Sequence, residues 1–147
     1  MANQIIIPEK IHLNQIHWIV QNMVVLEKKL SKNPTYDFKI AHSMMHNLEK
    51  EFVKIRLFID VNGVVDDKVI KQGGNYEVDF MFQIDNLNNQ FEIVDEKPVF
   101  SGLFVSTLLA ISYSTLRGMF YELWKDTVFR GIILPVISVP DLLKSNR

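Results

Sequence analysis

The sequence predicts an α+β fold in which a four-stranded antiparallel sheet is followed by a long C-terminal helix, an extended arm and a short terminal helix. Two observations support this class. Apolar residues recur with a period of two over the first two thirds of the chain, and at three- and four-residue spacings after Pro98. Alternating segments separated by turn residues are typical of an antiparallel sheet with one face in water. The 147 residues are predicted to form one domain, residues 1–147.

Four alternating segments define the predicted strands. The third covers residues 53–61 and the fourth residues 76–84, and each places every second side chain on the same apolar face. Leu57 and Phe80 are therefore expected on the dry side of the sheet. The apolar residues that alternate in the first two strands are Ile16, Trp18 and Val20, then Tyr36, Phe38 and Ile40.

Turn residues separate the later strands. Asn62-Gly63 predicts a tight turn at the end of the third strand. Gly73-Gly74 predicts a second turn, after which the alternation resumes. Asp66-Asp67 has polar neighbours, which places it most simply in a loop.

The helical period begins near Gly102, and one long helix is predicted over residues 102–126. This helix is apolar on more than one face, so part of it is expected to meet another chain. Gly118 within it indicates a close helix contact, because glycine is otherwise unfavourable there. Residues 131–140 are bracketed by proline and predict an extended arm, and residues 139–143 a short helix with proline in its first turn.

Composition and charge exclude several classes of protein. Sixteen basic and seventeen acidic residues give a net charge of -1, so binding to nucleic acid is not expected. The absence of cysteine excludes disulfides and suits a reducing, cytoplasmic location. No secretory signal is expected at the N-terminus. Residues 98–116 carry no charge, but the polar side chains within this stretch favour a buried helix over membrane insertion.

Catalytic and metal-binding motifs are not evident. His42 and His46 have the four-residue spacing of a zinc-binding helix, but a strand would hold them about 13 Å apart, so surface or cross-strand histidines are expected. Phosphate-binding glycine motifs and nucleophile elbows are missing. The sequence therefore predicts neither an enzyme nor a bound metal or cofactor.

Aromatic residues are the unusual component, with ten Phe, four Tyr and two Trp. Phe58 is the exception to the strand pattern, because it shares the polar face with Lys54, Arg56 and Asp60. An aromatic residue on a wet face indicates a contact surface. The aromatics that fall on periodic faces, and are expected in the core or a subunit interface, are Trp18, Phe80, Phe82, Phe120 and Trp124.

The order of elements and several segments resemble the SecB family of bacterial export chaperones over roughly residues 15–143. The similar segments are 113–118 in the long helix, 127–129 after it, and 134–143, together with the strand segment 34–40. The most specific pieces are Leu134-Pro135 and Asp141-Leu142-Leu143.

The resemblance implies a homotetramer, built as a dimer of dimers with long helices at the interface. Such an assembly holds unfolded preproteins in apolar grooves and delivers them to the SecA motor. Plain core packing is the alternative role for each groove residue taken singly. By position, the groove for unfolded peptide would be formed by Tyr36, Phe38, Ile40, Val139, Leu142 and Leu143.

The sequence also departs from the family pattern on the face that would dock SecA. Gln83 in Met81-Phe82-Gln83 stands where the family has an acidic residue, and residues 144–147 are basic where the family has an acidic tail. These departures favour a divergent branch, such as chaperones that protect an antitoxin. The residues considered for partner docking are Glu27, Phe58, Met81 and Gln83.

Three functions follow from these observations. The first is a holdase chaperone that binds unfolded polypeptides, either preproteins in export or an antitoxin. The second is an interaction module that uses the same fold to bind one dedicated protein partner. The third, a small-molecule-binding or enzymatic domain between sheet and helix, has the least support in the sequence.

Overall fold

The computed structural model describes residues 5–147 and has the predicted fold class. The main sheet contains β1 (Ile11–Val24), β2 (Thr35–Asn47), β3 (Phe52–Val65) and β4 (Lys68–Ile84), in the antiparallel order β1-β4-β3-β2. Strands β1 and β2 are therefore the edges. The hairpin β5 (Phe91–Val94) and β6 (Lys97–Phe100) follows, then α1 (Gly102–Leu123) and α2 (Val139–Lys144). Single 3₁₀ turns lie at Pro8–Lys10 and Leu87–Gln90.

The two central strands form the floor of the core. Every second residue of β3 from Val53 to Val61, and of β4 from Tyr76 to Ile84, is buried. The expected inward position of Leu57 and Phe80 is confirmed, since both are fully buried. The inward face of the sheet carries α1, the arm and α2. The opposite face, called the outer face below, carries no helix among residues 5–147.

The two predicted glycine turns are wrong. Strand β3 continues through Asn62-Gly63 to Val65, and the chain reverses at Asp66-Asp67, where both residues have positive φ. Asp tolerates this left-handed conformation, which a two-residue hairpin requires. Gly73-Gly74 lies inside β4. Glycine is needed there because a Cβ at Gly73 would collide with the carbonyl oxygen of Val61 on β3. The glycines therefore serve the close approach of neighbouring strands.

The hairpin β5–β6 was not predicted. Its turn is formed by Asp95 and Glu96, which again both have positive φ. From the sequence, this charged stretch is expected only to separate the strands from the helical region that begins near Gly102. The strands on either side are four residues each, too short for their alternation to stand out.

Ser101 is the N-cap of helix α1, and its Oγ accepts a hydrogen bond from the backbone N–H of Phe104 at 3.1 Å. The helix ends at Leu123, three residues before the predicted end, because Thr127 turns the chain there. The Thr127 hydroxyl donates to the carbonyl oxygen of Trp124 at 2.9 Å and accepts from the N–H of Phe129 at 3.1 Å. The buried residues of α1 are Phe104, Leu108, Leu109, Ser112, Tyr113, Leu116 and Phe120.

The other side of α1 is open. Gly118 has no atom within 4 Å of the position that a Cβ would take, so the predicted close helix contact is absent from the part of the chain that the structure describes. Leu103 and Tyr121 are also exposed. Among residues 5–147, α1 is the helix long and apolar enough to cross a membrane by length and composition, a test that core helices also pass.

An aromatic cluster joins the sheet to the end of α1. Phe120 packs against Tyr76 with a centroid separation of 4.7 Å and against Trp124 at 4.4 Å. The Trp124 indole N–H donates to the Tyr76 hydroxyl at 3.1 Å, and burial raises the pKa of that hydroxyl. Trp18 of β1 extends the cluster at one side, and Phe129 extends it at the other. The expected core positions of Phe120 and Trp124 are confirmed.

Candidate functional site

A pocket of about 310 Å³ lies on the inward face, between β2 and the segment that leads into α2. Strand alternation directs Phe38 and Ile40 inward, where α1 does not cover them. The remaining lining residues come from the arm and from α2 and the residue after it; they are Pro135, Ile137, Asp141, Leu142 and Ser145. The pocket is therefore largely apolar, with a carboxylate and a hydroxyl at its rim.

Two side chains of α1 fix the arm in its extended shape. The Tyr113 hydroxyl donates to the carbonyl oxygen of Pro135 at 2.5 Å, and Arg117 Nε donates to that of Leu134 at 3.0 Å. Burial raises the pKa of Tyr113 to about 12, so its hydroxyl stays protonated and can donate at neutral pH. The arm presents Leu134 to the core, whereas Val136 is 82% exposed. Apolar surface next to the pocket is thus left bare.

Helix α2 is placed by its own cap. Ser138 accepts a hydrogen bond from the backbone N–H of Asp141 at 3.3 Å, and Pro140 lies in the first turn, as the sequence predicts. This start directs Leu142 into the core beside β2, where it is buried. Asp141 is left at the mouth of the pocket.

The structure brings together three of the six predicted groove residues, namely Phe38, Ile40 and Leu142. Tyr36 does not line the pocket, because its ring packs on Phe129 at 5.2 Å and its hydroxyl accepts a hydrogen bond from Gln72 Nε2 at 2.9 Å. Of the other two, Leu143 packs against the core and Val139 is exposed. Core packing, the alternative considered from the sequence, describes Tyr36 and Leu143 in this conformation.

Sequence reasoning missed Pro135 and Ile137, which supply one wall of the pocket. It predicted the arm but not which residues of the arm face β2. The signal available was weak: Ile132, Leu134 and Ile137 are the buried or half-buried residues of the arm, and their spacing is irregular. Anchoring by Tyr113 and Arg117, both on α1, decides the placement.

His42 lies on the edge strand beside the pocket. The predicted strand conformation of His42 and His46 is confirmed, but His42 is buried and not at the surface. Its Nδ1 is 3.0 Å from Ser145 Oγ. Burial lowers the pKa of His42, and a hydrogen bond to the backbone of Leu142 opposes this only in part. His46 packs on Phe100 instead, and no group of three His, Cys, Asp or Glu within residues 5–147 could hold a metal ion.

On the outer face of the sheet, the negative charge of Asp79 is neutralised by nearby basic side chains. Its side chain is only 3% exposed and accepts two hydrogen bonds from Arg56, from Nε at 2.6 Å and from a terminal nitrogen at 2.9 Å. Lys54 Nζ lies 3.7 Å away. Burial by itself would raise the pKa of Asp79, but the hydrogen bond and charge of Arg56, with the charge of Lys54, lower it overall. This carboxylate is therefore ionised and already neutralised by its own chain.

The four residues considered for partner docking do not form one patch. Gln83 lies at the end of β4 that pairs with His12, whereas Glu27 follows the opposite end of β1. Val24 pairs with Gly73, ten residues from Gln83, which corresponds to about 33 Å along β4. Met81 is half-buried on the outer face, and the ring of Phe58 is covered by the guanidinium of Arg147 at 4.2 Å from its centroid.

Comparison with solved structures identifies the architecture. The chain aligns with the SecB-like chaperone Rv1957 of Mycobacterium tuberculosis, in complex with a ChAD peptide from the HigA1 antitoxin, with a TM-score of 0.64 over 88% of this chain and 92% of that one. The fold is SecB-like. Sequence identity is only 12%, so the likeness shows the fold alone. A protein of unknown function from Streptococcus agalactiae aligns with a TM-score of 0.37 at 17% identity, over 87% of this chain and 94% of that one.

Sequence comparisons add nothing to this likeness. No protein-family model matches the chain, and no curated protein sequence matches it either. The expected SecB-like fold is thus confirmed by structure, whereas membership of the SecB family stays a prediction.

The amide of Gln83 has a structural use in this SecB-like chain. Its Nε2 donates to the carbonyl oxygen of Lys50 in the turn between β2 and β3 at 2.9 Å. A carboxylate cannot donate, so Gln83→Glu should place two oxygens against each other and lower the free energy of unfolding by about 1 kcal/mol at pH 7. Urea denaturation measures the change.

The matched control is Gln15→Glu, an exposed glutamine on the outer face of neighbouring β1, for which a change below about 0.5 kcal/mol is expected. Equal or higher stability of Gln83→Glu would contradict the assigned hydrogen bond.

Proposed function

We propose that this chain is a SecB-like holdase chaperone that binds extended apolar segments of unfolded polypeptides. The observation that carries the proposal is the open pocket beside β2, next to the bare apolar arm. Its volume of about 310 Å³ is at the lower end of the range for ligand pockets and is large enough to take an apolar side chain of a client. No enzymatic activity and no cofactor are part of the proposal.

The lining chemistry supports binding of many sequences. Phe38 and Ile40 offer flat apolar surface, and Val136 and Ile133 of the arm extend it outside the pocket. Apolar contacts are not directional, so they accept different client side chains at similar cost. Asp141 at the pocket mouth adds a negative charge, which favours clients with a basic residue beside the apolar one.

Among holdase roles, we propose protection of a dedicated client such as an antitoxin in preference to export through SecA. Two features of the outer face support this choice. Asp79 is neutralised by Arg56, and Gln83 donates its amide to Lys50. At these two positions the face therefore offers no free negative charge to a basic docking partner, although the exposed carboxylate of Asp60 lies on the same face. The mycobacterial SecB-like chaperone, whose structure contains an antitoxin peptide, is consistent with this role.

The same outer face favours a second candidate, an interaction module for one protein partner. A pull-down from the source organism separates one partner from many: a single recovered protein fits the module or a chaperone with one client, and many unfolded clients fit a general holdase. The aggregation assay below separates the first two, because a module without chaperone activity does not delay aggregation of an unrelated protein. Unfolded preproteins and SecA are the partners that the export role would require.

Self-association into a dimer of dimers is part of the proposal. Strand β1 is a sheet edge with exposed apolar side chains, which a second copy can cover. These residues are Ile16, Ile19, Met23, Val24 and Val25, the last just after the strand. The open surface of α1 at Gly118 can accept a helix of another copy. A mass of 17.1 kDa by light scattering at micromolar concentration would refute this assembly.

The functional test removes apolar surface from the pocket. Phe38→Ser should weaken binding of an unfolded client by about tenfold or more, since burying a phenylalanine contributes about 1.5–3 kcal/mol. The assay measures how much chaperone delays aggregation of a slowly folding protein. Val69→Ser is the control, because it also removes an apolar side chain, but one that lies exposed on the β3–β4 hairpin, away from the pocket.

Phe38 is half-buried, so its replacement also needs a check of folding by thermal denaturation. Val136→Asp serves as a second variant, because Val136 is exposed and its change leaves the core intact. The proposal fails if the unmodified chain does not delay aggregation at an equimolar ratio. It also fails if both variants act as well as Val69→Ser. The proposal includes a cytoplasmic location, because a chain without cysteine needs no oxidising compartment for disulfide formation.

A further inference from the structure

The last residues of the chain cross the edge of β2 beside the pocket. Residues 145–147, called the strap, form a parallel bridge to this strand at His42. The backbone N–H of His42 donates to the carbonyl oxygen of Ser145 at 2.9 Å, and that of Arg147 donates to the carbonyl oxygen of His42 at 2.7 Å. The strap thus behaves as a very short fifth strand.

The strap also contacts both faces of the sheet. On the inward face Ser145 lines the pocket, and its Oγ donates to the carbonyl oxygen of Leu142 at 2.6 Å and lies near His42 Nδ1. On the outer face the guanidinium of Arg147 covers the ring of Phe58. The strap therefore wraps around β2, and it accounts for the aromatic residue on the wet face.

Among residues 5–147, no other segment pairs with the rest of this edge, so it is open to main-chain pairing. In an antiparallel ladder, alternate residues direct their N–H and C=O groups to the same side. His42 directs both groups away from β3, so Phe38, Ile40 and Met44 do the same. The backbone hydrogen-bond edge and the pocket thus share Phe38 and Ile40, the residues that a bound peptide would need.

We propose that the strap is a displaceable, autoinhibitory segment that closes the β2 edge when no client is bound. This inference rests on the proposed holdase function, because the strap competes with an extended client segment that pairs with β2 and places an apolar side chain in the pocket. Such strand addition uses main-chain hydrogen bonds for affinity and the pocket for selectivity. A client must release residues 145–147 before it can pair at His42.

The strap is held by few contacts, which makes release feasible. Two backbone hydrogen bonds, one side-chain contact to His42 and one cation–π contact hold it, and the entropy lost on ordering residues 145–147 offsets much of their energy. The balance corresponds to a closed-to-open ratio of about 10 to 100. The apparent affinity for a client is lowered by the same factor when only the open state binds. Asn146 and Arg147 are exposed, so release uncovers little apolar surface apart from Phe58.

The experiment compares the full chain with a variant that ends at Lys144. Binding of fluorescein-labelled, reduced and carboxymethylated α-lactalbumin, which is permanently unfolded, is measured by fluorescence anisotropy. The truncated variant is expected to bind about tenfold more tightly. Arg147→Ala, which removes only the contact with Phe58, is expected to bind about two- to fivefold more tightly. Lys125→Ala, an exposed cation after α1, is the control and should leave the affinity unchanged.

Hydrogen exchange gives a second readout that does not depend on the truncated variant being well folded. In the full chain, the amide of Arg147 should be protected without client and should exchange at least about fivefold faster when client saturates the protein. The amide of His42 should stay protected in both states, because the client strand replaces the strap as its partner.

The outcomes separate the two proposals. If the full chain and both variants bind the probe with the same affinity, the strap inference is overturned while the holdase function stands. If none of them binds, the proposed function fails, and the strap has no client to exclude. Continued protection of Arg147 in the saturated complex also overturns the inference, because client and strap would then be bound together.

Discussion

Trp124→Ala should lower the free energy of unfolding by about 4 kcal/mol. Trp124 is 1% exposed and lies at the centre of the aromatic cluster. Its loss removes contacts with Phe120 and Phe129 and leaves a large cavity. It also takes away the indole N–H that the Tyr76 hydroxyl accepts, so a buried polar group loses its partner.

The change is measured by urea denaturation at pH 7 and at fixed protein concentration, because self-association would couple stability to concentration. Tyr121→Ala is the matched control on α1. Tyr121 is an aromatic residue three positions earlier, but it is exposed, so a change below about 0.5 kcal/mol is expected. A loss of less than about 1 kcal/mol for Trp124→Ala would show that the cluster does not hold α1 on the sheet.

Asp79→Ala should lower the free energy of unfolding by about 3 kcal/mol at pH 7, because it leaves Arg56 and Lys54 without their shared carboxylate. Arg56 is partly exposed and can regain some hydration, which keeps the expected loss at the lower end for a buried ion pair. Asp60→Ala is the control, since Asp60 in β3 is an exposed carboxylate on the same outer face of the sheet as Asp79. A change below about 0.5 kcal/mol is expected there.

The pH dependence provides a second check of Asp79. Its pKa in the folded chain lies below the ordinary value of 3.8 for an aspartate, so the carboxylate binds protons less readily than in the unfolded chain. Its stabilisation is therefore fully present above that value and is lost as pH falls through the lowered pKa. The difference in stability between the unmodified chain and Asp79→Ala should shrink in this acidic window. A difference that stays constant at the lowest pH would show that the carboxylate's charge is not the cause.

The strands could be predicted because the two faces of the sheet have different neighbours. Residues such as Leu57 and Phe80 lie on the inward face, and Arg56 and Asp79 lie on the outer face. Apolar and polar residues therefore alternate along the sequence of these strands. The strand ends could not be predicted in the same way. Asn62-Gly63 has the signature of a hairpin turn, but its glycine lies in a strand where the β4 backbone passes too close for a side chain. That approach depends on tertiary structure.

The candidate site could be predicted only in part for a similar reason. Phe38 and Ile40 follow from strand alternation, and Leu142 follows from the resemblance to the SecB family. The position of Ile137 depends on the path of the arm. That path is fixed by two hydrogen bonds from α1, between residues that are 17 and 22 positions apart in the sequence. The covering of Phe58 by Arg147 joins residues that are even further apart in the chain, and no local pattern encodes it.

The location of both tryptophans determines which changes in this protein alter its intrinsic fluorescence. Trp18 and Trp124 belong to the same aromatic cluster, within a few ångströms of Tyr76 and Phe120, and neither lines the pocket beside β2. Intrinsic fluorescence should therefore change strongly when the core melts and hardly at all when a peptide occupies the pocket. Folding and occupancy can accordingly be followed in one sample at separate wavelengths, the first by indole emission and the second by a dye on the bound chain.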